Sequence, residues 1–420
     1  MIFRKPGMTH PETLLDRFLQ YVQVDTQAND ESETVPSTPG QLELGKILVQ
    51  QLQEMGVVDA SQDAKGVVIG TLPSNMPNPE AVATLIFNAH VDTTPEASGK
   101  DVRPQVMTYQ GGDIPVGNGV TITVAETPAL KELVGKTLIT TDGSTLLGGD
   151  DKAGVAIIMQ LAKFLCDQPD YPRPNMKFLF TCDEEIGRGP ASVDVASLRG
   201  TVAYTFDGGA QGIIDCATFS ADMVVLEFRG VNIHTAIAKD RMVNAIRAAG
   251  FFLSLLPPEL APENTDGEDG FVHPFVLEGS VASTRLKILL RSFDEAELRQ
   301  QEALLRKAVA DTCDRYPQIK TNFEVVRQYR NMADALAKEP RALELAIQAH
   351  KELGLTPKLE SIRGGTDGSQ FSERGLPTPN LSSGQHNLHC EREFACLQQM
   401  ETALEVGKQL VKLWSQQNAN

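Results

Sequence analysis

The sequence predicts an α/β fold: a mostly parallel sheet with helices on both faces, plus an inserted α+β domain. From residue 11 to about 215, short apolar runs alternate with segments of helical periodicity, which is typical of parallel sheets. From residue 216 to 327 the strands instead alternate apolar and polar residues, which indicates a sheet with one buried face. The length of 420 residues is enough for two or three domains.

The first part of the chain begins this pattern with a helix at Pro39. Thr38 can cap this helix, Pro39 fits its first turn, and Gln41 completes a capping box. Gly56 follows the last residue with helical spacing and predicts the end of the helix. Further along the chain, buried strands are predicted at 83–88, 176–180 and 201–206, and a helix is predicted at 153–165.

The middle of the chain has a different composition of elements. Strands are predicted at 223–228, 284–291 and 322–326, and helices at 242–256 and 295–313. Helices at 340–353 and 393–414 then resume the first pattern. The sequence therefore predicts a discontinuous domain, formed by residues 1–215 and 328–420, that carries an inserted domain of residues 216–327.

Charge and hydropathy exclude several classes of protein. The chain has 38 lysines and arginines against 55 aspartates and glutamates, a net charge of −17 with histidine neutral. Such a chain repels phosphate backbones, so we expect no nucleic-acid partner. The longest apolar stretch, 250–256, is far shorter than the ~20 residues of a membrane-spanning helix, so we expect no membrane partner. Residues 1–10 lack the apolar segment of a secretory signal, and the six cysteines are widely spread, which favours the cytoplasm.

A histidine and an acid follow the first predicted strand, and two acids precede the helix predicted at 153–165. His90 and Asp92 are two residues apart, so they face the same side of an extended chain. Either could bind a metal ion, or Asp92 could orient a ligating His90. Asp150 and Asp151 stand at a helix start, where acids also act as caps. Each group by itself has an ordinary structural explanation, as a polar strand end or a cap.

Three further groups make the joint pattern specific. The acids 183–185 follow the second strand, Asp207 lies at the end of the third, and a late segment contains His386 and His389. Consecutive acids repel one another unless a cation or protons compensate. The carboxyl ends of parallel strands lie at one edge of the sheet, and mixed imidazole and carboxylate ligands suit zinc or a similar ion. Because one tetrahedral ion needs fewer ligands, we expect two metals about 3.5–4 Å apart that share a carboxylate.

Together these motifs resemble the co-catalytic zinc aminoacylase/carboxypeptidase family, and most of all its aminopeptidases that act on tripeptides. The resemblance runs nearly end to end. It includes His-x-Asp at 90–92, Gly-x-Asp-Asp-Lys-x-Gly at 148–154, Asp-Glu-Glu-x-Gly at 183–187, Asp-Gly-Gly at 207–209, Arg-Gly-Gly-Thr-Asp-Gly at 363–368 and the late histidine at 389.

The resemblance implies two divalent metal ions, expected to be zinc, with Asp150 as the bridge between them. The implied ligands are His90, Asp150 and Asp207 for one ion, and Asp150, Glu185 and His389 for the other. Glu184 matches the general base that takes a proton from the metal-bridging water. Asp92 matches the residue that orients the first histidine.

The resemblance also implies that the inserted domain is a lid that closes over the metals, and we expect any homodimer to form through it. His234 and Arg291 of this lid would bind the peptide substrate, together with Arg363 from the glycine-rich loop.

Three places depart from the pattern of the tripeptide aminopeptidases. Residues 231–240 replace His-Pro-Gly-Thr-Ala-Lys-Gly, Ser292 replaces an aspartate, and Cys390 replaces a glycine. The metal and base positions match, whereas positions in the lid differ. The sequence thus predicts metal-dependent hydrolysis more strongly than tripeptide specificity.

The activity implied by the resemblance is release of the N-terminal residue from short peptides, above all tripeptides. Two alternatives remain open. One is a carboxypeptidase or an N-acyl amino acid hydrolase of the same family, and the other is a catalytically silent, metal-bound peptide-binding protein. Glu184 weighs against the silent alternative, because a binding protein needs no general base.

Overall fold

A computed structural model describes residues 11–418, so residues 1–10, where the sequence predicts no secretory signal, lie outside the described residues. The chain divides into two compact units. The first contains the chain up to Cys216, Met332–Ser361 and the residues from Thr366 onward, and the second contains Ala217–Asn331 and Ile362–Gly365. The change between units at 216/217 and 331/332 compares with predicted boundaries at 215/216 and 327/328.

The α-helices are α1 Leu14–Tyr21, α2 Pro39–Met55, α3 Gly149–Asp167, α4 Val195–Leu198, α5 Ala245–Ser254, α6 Glu295–Arg315, α7 Ala333–Lys338, α8 Arg341–Glu352, α9 Asp367–Glu373 and α10 Leu397–Trp414. Helix α2 ends at Gly56 in the left-handed conformation, as the sequence predicts. The predicted capping box at Thr38 is wrong. Thr38 caps no backbone N–H there, and the Gln41 side chain donates to Thr38 and also to the buried Asp183.

The strands are β1 Ser61–Gln62, β2 Val68–Leu72, β3 Thr84–His90, β4 Gln105–Thr108, β5 Ile114–Gly117, β6 Val120–Ile122, β7 Thr137–Thr140, β8 Asn175–Thr181, β9 Val202–Gly208, β10 Ile213–Thr218, β11 Ser220–Arg229, β12 Phe271–Gly279, β13 Ser283–Ser292, β14 Lys320–Tyr329, β15 Lys358–Ile362, β16 Asn380–Ser382, β17 Gln385–His386 and β18 Phe394–Cys396. The short strand β18 occupies the start of the helix predicted at 393–414, so α10 begins four residues later.

The first unit is built on an eight-stranded sheet in the order β1-β2-β8-β3-β9-β16-β10-β15. At its centre β3 pairs in parallel with β8 and β9, and β9 pairs in parallel with β16. Antiparallel pairs lie further out, between β1 and β2, β2 and β8, and β16 and β10. The predicted α/β class with a mostly parallel sheet is therefore confirmed.

Strand β3 shows why both faces of this sheet need helices. Leu85 and Phe87 are fully buried in a cluster with side chains of α1, α2, α3 and α10. Ile86 points to the opposite face, where it is buried with Leu198 of α4 and Phe371 of α9. Successive side chains of a strand alternate between faces, so a strand with consecutive apolar residues, such as 85–87, must be covered on both faces.

Two smaller sheets complete the first unit. One has four strands in the order β17-β18-β7-β4, and the other pairs β5 with β6. Apolar side chains of these strands form a core of their own, which includes Ile114, Ile122 and Phe394. Within residues 11–418, no helix combines the length and the apolar character that crossing a membrane requires.

The second unit is an antiparallel sheet in the order β12-β13-β11-β14, packed against α5 and α6. Alternate residues of β13, Leu286, Ile288 and Leu290, are fully buried, as one-sided burial predicts. The sequence missed β12, which has no clean alternation and contains Pro274. An edge strand tolerates proline and needs little buried surface, so its sequence signal is weak.

Candidate functional site

The histidine and acids that end or follow the parallel strands of the first unit lie together at the carboxyl ends of these strands. His90 is the last residue of β3, and Asp207 is the penultimate residue of β9, which lies beside it. The acids 183–185 follow β8, the neighbour on the other side. Because parallel strands end at one edge of the sheet, these side chains are brought together although they are far apart in the sequence.

Asp150 reaches the same edge from the start of α3. Asp150 and Asp151 have non-helical dihedral angles, so the regular helix begins after them. Close packing places this segment: a Cβ on Gly154 would lie only 2.2 Å from the carbonyl oxygen of Phe206 in β9. The absence of a side chain at 154 therefore lets α3 lie directly against the strand that carries Asp207.

Two groups of candidate metal ligands result, and Asp150 belongs to both. In the first, which we call the buried triad, His90 Nε2 lies 3.1 Å from Asp150 Oδ1 and 3.8 Å from Asp207 Oδ1. In the second, which we call the open triad, His389 Nε2 lies 2.9 Å from Glu185 Oε2 and 3.4 Å from Asp150 Oδ2. In each triad, one potential ligand atom per residue lies within 4.8 Å of the others.

The electrostatics of the triads fit cations. Burial, and then the charge of Asp150, raises the pKa of Glu185 to about 8 and that of Asp207 to about 6. Burial would lower the pKa of His90, but hydrogen bonds to Asp150, Asp207 and Asp92 raise it well above its ordinary value. Without a metal, this cluster therefore retains protons that divalent ions would displace.

An orphaned oxygen adds to this fit. Within the described residues, Oε1 of Glu185 is buried and has no hydrogen-bond partner. A buried carboxylate oxygen left unpaired is costly, and coordination to a metal ion would satisfy it. The donor set of imidazoles and carboxylates, with one carboxylate oxygen of Asp150 facing each histidine, suits two divalent ions.

Glu184, the predicted general base, directly precedes Glu185 in the turn that follows β8. Burial, opposed by His90 and reinforced by the charges of Asp367, Asp207 and Glu185, raises the pKa of Glu184 well above its ordinary value. A raised pKa improves a carboxylate as a proton acceptor near neutral pH.

Asp92 holds both glutamates as well as facing His90. Its Oδ1 and Oδ2 accept the backbone N–H groups of Glu184 and Glu185 at 3.0 and 3.1 Å. Nδ1 of His90 lies 3.1 Å from the backbone oxygen of Asp92 and 3.5 Å from its carboxylate. The sequence predicted only the orientation of His90, because hydrogen bonds to a distant backbone leave no local pattern.

Comparison with known proteins identifies the family. The model of peptidase family M20/M25/M40 matches residues 142–413. Peptidase T of Shouchella clausii (strain KSM-K16) is 42% identical over 405 residues, which cover 96% of this chain and 99% of that protein. The chain belongs to peptidase family M20/M25/M40. It is therefore a peptide hydrolase, and the family resemblance inferred from the motifs is confirmed.

Solved structures agree on the fold of this family. Aminopeptidase PepT from Bacillus cereus ATCC 10987 superposes with a TM-score of 0.74 at 24% identity, covering 96% of this chain and 98% of that chain. The Bacillus subtilis YXEP protein, described as a dinuclear metal binding peptidase from the M20 family, superposes with a TM-score of 0.63 at 14% identity, covering 95% and 97%.

The sequence missed several residues that support the family motifs. Glu96 is one: its Oε2 lies 3.3 Å from Nδ1 of His389, on the side of the ring opposite the open triad. Asp183 is another. It is buried, has a φ of +62°, and accepts hydrogen bonds from the backbone and hydroxyl of Ser37 and from Gln41. These contacts fix the turn that carries the two glutamates.

Asp207 also has unpredicted support. Gln385 Nε2 donates to its Oδ1 at 3.2 Å, and the side-chain oxygen of Asn380 accepts its backbone N–H at 3.0 Å. Asn380 is in turn oriented by Asp215, whose carboxylate accepts from its amide at 2.9 Å. His386, the extra histidine near His389, lies outside both triads, and its Nε2 is 2.7 Å from the side chain of Gln399.

The three predicted substrate residues lie in the second unit. His234 is exposed, and its Nδ1 accepts the N–H of Ala236. Nη1 of Arg291 donates to the carbonyl oxygens of Leu290 and Asp222.

Arg363 is held by its own unit: Nη1 donates to the carbonyl oxygens of Gly267 and Asp269, and Nη2 donates to Thr265. Its guanidinium also lies over the ring of Phe219, 5.2 Å from the centroid. The substrate contacts of His234, Arg291 and Arg363 stay predictions.

Proposed function

We propose that this chain is a di-zinc aminopeptidase that releases the N-terminal residue from short peptides, above all tripeptides. The observation that carries the proposal is the pair of candidate ligand groups that share Asp150, with Glu184 close enough for the charges of His90, Asp207 and Glu185 to shift its pKa. The identity to Peptidase T over almost the full length of both chains supports the substrate class.

We propose a set of ligands for each ion. One ion would be held by His90, Asp150 and Asp207, and the other by Asp150, Glu185 and His389. Two ions bound there would supply Lewis acidity, which activates a water nucleophile and polarises the scissile carbonyl. Five different side chains would thus provide the ligands, and Glu184 would be left free for proton transfer.

Glu184 would accept a proton from the attacking water and pass it to the leaving amine. Two features of this chain suit it to that role. Its raised pKa places proton transfer closer to neutral pH than an exposed glutamate would. Its backbone N–H is fixed by Asp92, the residue that also faces His90, so base and ligand keep one relative position.

A panel of peptides tests the substrate class. Tripeptides with both ends free should be cleaved best, with release of the first residue, and N-acetylated tripeptides should be poor substrates. Faster hydrolysis of N-acetylated peptides or N-acyl amino acids would replace the proposal with the acylase alternative. Release of the last residue would identify a carboxypeptidase. Binding of peptides without any hydrolysis, with metals present, would favour the silent binding protein.

The identity of the metal is part of the proposal. Imidazole and carboxylate donors suit zinc, although other divalent ions accept the same ligands. Elemental analysis of protein purified without added metal should find zinc at two ions per chain. Another predominant metal would overturn the zinc assignment while leaving the two-metal scheme intact.

Arg291 is proposed to bind the carboxylate of the substrate, with His234 and Arg363 as further substrate residues. A guanidinium can bind a carboxylate with two parallel hydrogen bonds, which lysine cannot reproduce. Arg291→Lys should lower kcat/KM by about 10–100-fold, because a charged hydrogen bond is lost. The matched control is Arg285→Lys, an exposed arginine on the same strand. Equal effects of the two variants would refute the role of Arg291.

We also propose that the enzyme is cytoplasmic and that any homodimer forms through the second unit. The dispersed cysteines support a reducing compartment. Edge strand β12 exposes Phe275 and Leu277, which supports an interface there. Light scattering on the wild type and Leu277→Lys tests the dimer, and cell fractionation tests the location. A monomeric wild type or a dimeric Leu277→Lys variant would refute this interface.

A further inference from the structure

Glu393 is a buried acid that no motif of the sequence analysis includes, and it lies four residues after His389. Its residue exposure is 1%, and both carboxylate oxygens are used. Oε2 accepts the backbone N–H groups of Leu147 and Gly148, each at 2.8 Å, and Oε1 accepts that of Asp150 at 3.0 Å. A single side chain therefore binds three amides of the segment that ends in the shared ligand.

This segment needs an external acceptor. Gly148 has a φ of +76°, and the dihedral angles of Asp150 are non-helical, so the usual helical partners are missing. Buried N–H groups without acceptors are costly, about 1–3 kcal/mol each. The space is also fitted to the carboxylate, because a Cβ on Gly149 would lie 3.1 Å from Oε1 of Glu393. Glycine at 149 lets the acid approach the backbone.

The same residue is tied to the loop of the histidine ligand. The backbone N–H of Glu393 donates to the carbonyl oxygen of Cys390, the residue directly after His389. His389 itself has a φ of +64°, a conformation that its surroundings must hold. Glu393 therefore links Asp150 and His389, two ligands of the open triad that are otherwise 239 positions apart (389 − 150).

We propose that Glu393 is a positioning residue of the metal centre, which fixes the backbone of Asp150 relative to the His389 loop so that both ligands converge. The inference rests on the proposed two-metal function. Its consequence is specific: loss of the carboxylate should weaken the open triad, where both linked ligands lie, more than the buried triad, where only Asp150 is affected.

Glu393→Gln tests this directly. The amide keeps the size of the side chain but turns an NH₂ group toward backbone N–H donors, so one set of hydrogen bonds is lost. In metal-free protein titrated with zinc, the second equivalent should bind about 10–100-fold more weakly than in the wild type. With cobalt, the visible absorption of the second equivalent should change. Glu391→Gln is the matched control, since it makes the same change at an exposed position of the same loop.

The outcomes separate the possibilities. If Glu393→Gln binds both equivalents like the wild type and only lowers the melting temperature, Glu393 is purely structural and the proposal is wrong. Should Glu393→Gln not fold, Glu393→Asp retains the charge but is too short to reach all three amides, and it must show the same selective loss. A wild type that binds fewer than two ions would instead refute the proposed two-metal function.

Discussion

The two triads of the metal centre share Asp150 and yet differ in how the fold holds them. In the buried triad the side chain of His90 is 2% exposed, and two of the three candidate ligands, His90 and Asp207, lie at the ends of adjacent strands, while Asp150 lies at the start of α3. In the open triad the side chain of His389 is 35% exposed and comes from a loop after β17. Asp92, which faces His90, is fully buried, whereas Glu96, which faces His389, is 69% exposed.

The buried triad is therefore held more rigidly, whereas the open triad is more accessible to solvent. Parallel pairing of β3 and β9 fixes the strand ends that carry His90 and Asp207, so these two candidate ligands have little freedom. The open triad leaves one imidazole accessible to solvent, so a substrate or water can approach the centre from that side. We infer that the buried triad contributes mainly affinity and the open triad contributes the approach to the reacting group.

The largest expected effect comes from the residue that both triads share. Asp150→Ala should lose both ions and all measurable activity, because it removes one oxygen from each triad and leaves the remaining acids unneutralised. Dialysis of the wild type against a chelator should have the same effect, reversed by zinc or cobalt. Elemental analysis and peptide hydrolysis provide the measurements, with the exposed Asp170→Ala as a control. Retention of one tightly bound ion by Asp150→Ala would show that the triads are independent.

The next largest effects are expected from the two neighbouring glutamates, one of which is proposed as the general base and the other as a metal ligand. Glu184→Gln should lower kcat by ~10²–10⁴ with normal metal content, because glutamine cannot accept a proton. Glu185→Gln should instead weaken the binding of one ion, the ion of the open triad. Parallel measurements of kcat and bound metal distinguish the two roles. The opposite pattern would reverse the assignment of Glu184 and Glu185.

Smaller effects on metal affinity are expected from substitutions of the residues that face the two histidines. Asp92→Asn should weaken metal binding by about 10–100-fold, since it places an NH₂ group against a backbone N–H of the glutamate pair. Glu96→Gln should change affinity by at most about fivefold, because its carboxylate is mostly exposed. Zinc titrations against a competing chelator measure both. If Glu96→Gln has the larger effect, exposure does not set the strength of these contacts.

The smallest expected effect is on stability as pH changes. In the metal-free protein the pKa of Glu185 is raised to about 8 and that of Asp207 to about 6, first by burial and then by the charge of Asp150. A raised folded-state pKa stabilises the protein below the unfolded value, and the stabilisation is lost as pH rises through the folded value. The melting temperature of the metal-free protein should therefore fall from about pH 5 to about pH 9.

Metal-loaded protein should show a smaller decline over the same range, because bound cations replace the protons. Glu185→Gln should flatten the upper part of the metal-free curve, since its side chain does not ionise. If the melting temperature of the metal-free protein instead increased toward high pH, the assigned pKa shifts would be wrong.

Much of the centre could be predicted because its information is local. A buried strand reads as an apolar run, and the residues just after it must lie at the edge of the sheet. That is how His90, Asp207 and the acids at 183–185 could be grouped from the order of residues alone. Strand β12 could not be predicted in the same way, because its exposed edge position removes the alternation that identifies a strand.

The sequence by itself determined the α/β class, the edge of the sheet where the candidate metal ligands meet, and the family. Only the tertiary structure decided which residues support them. Glu393 binds Asp150 across 243 positions, and Glu96 contacts His389 across 293. The physical reason is that periodicity and strand ends are properties of neighbouring residues, whereas a hydrogen bond between distant segments depends on where the whole chain has folded, and leaves no pattern in either segment alone.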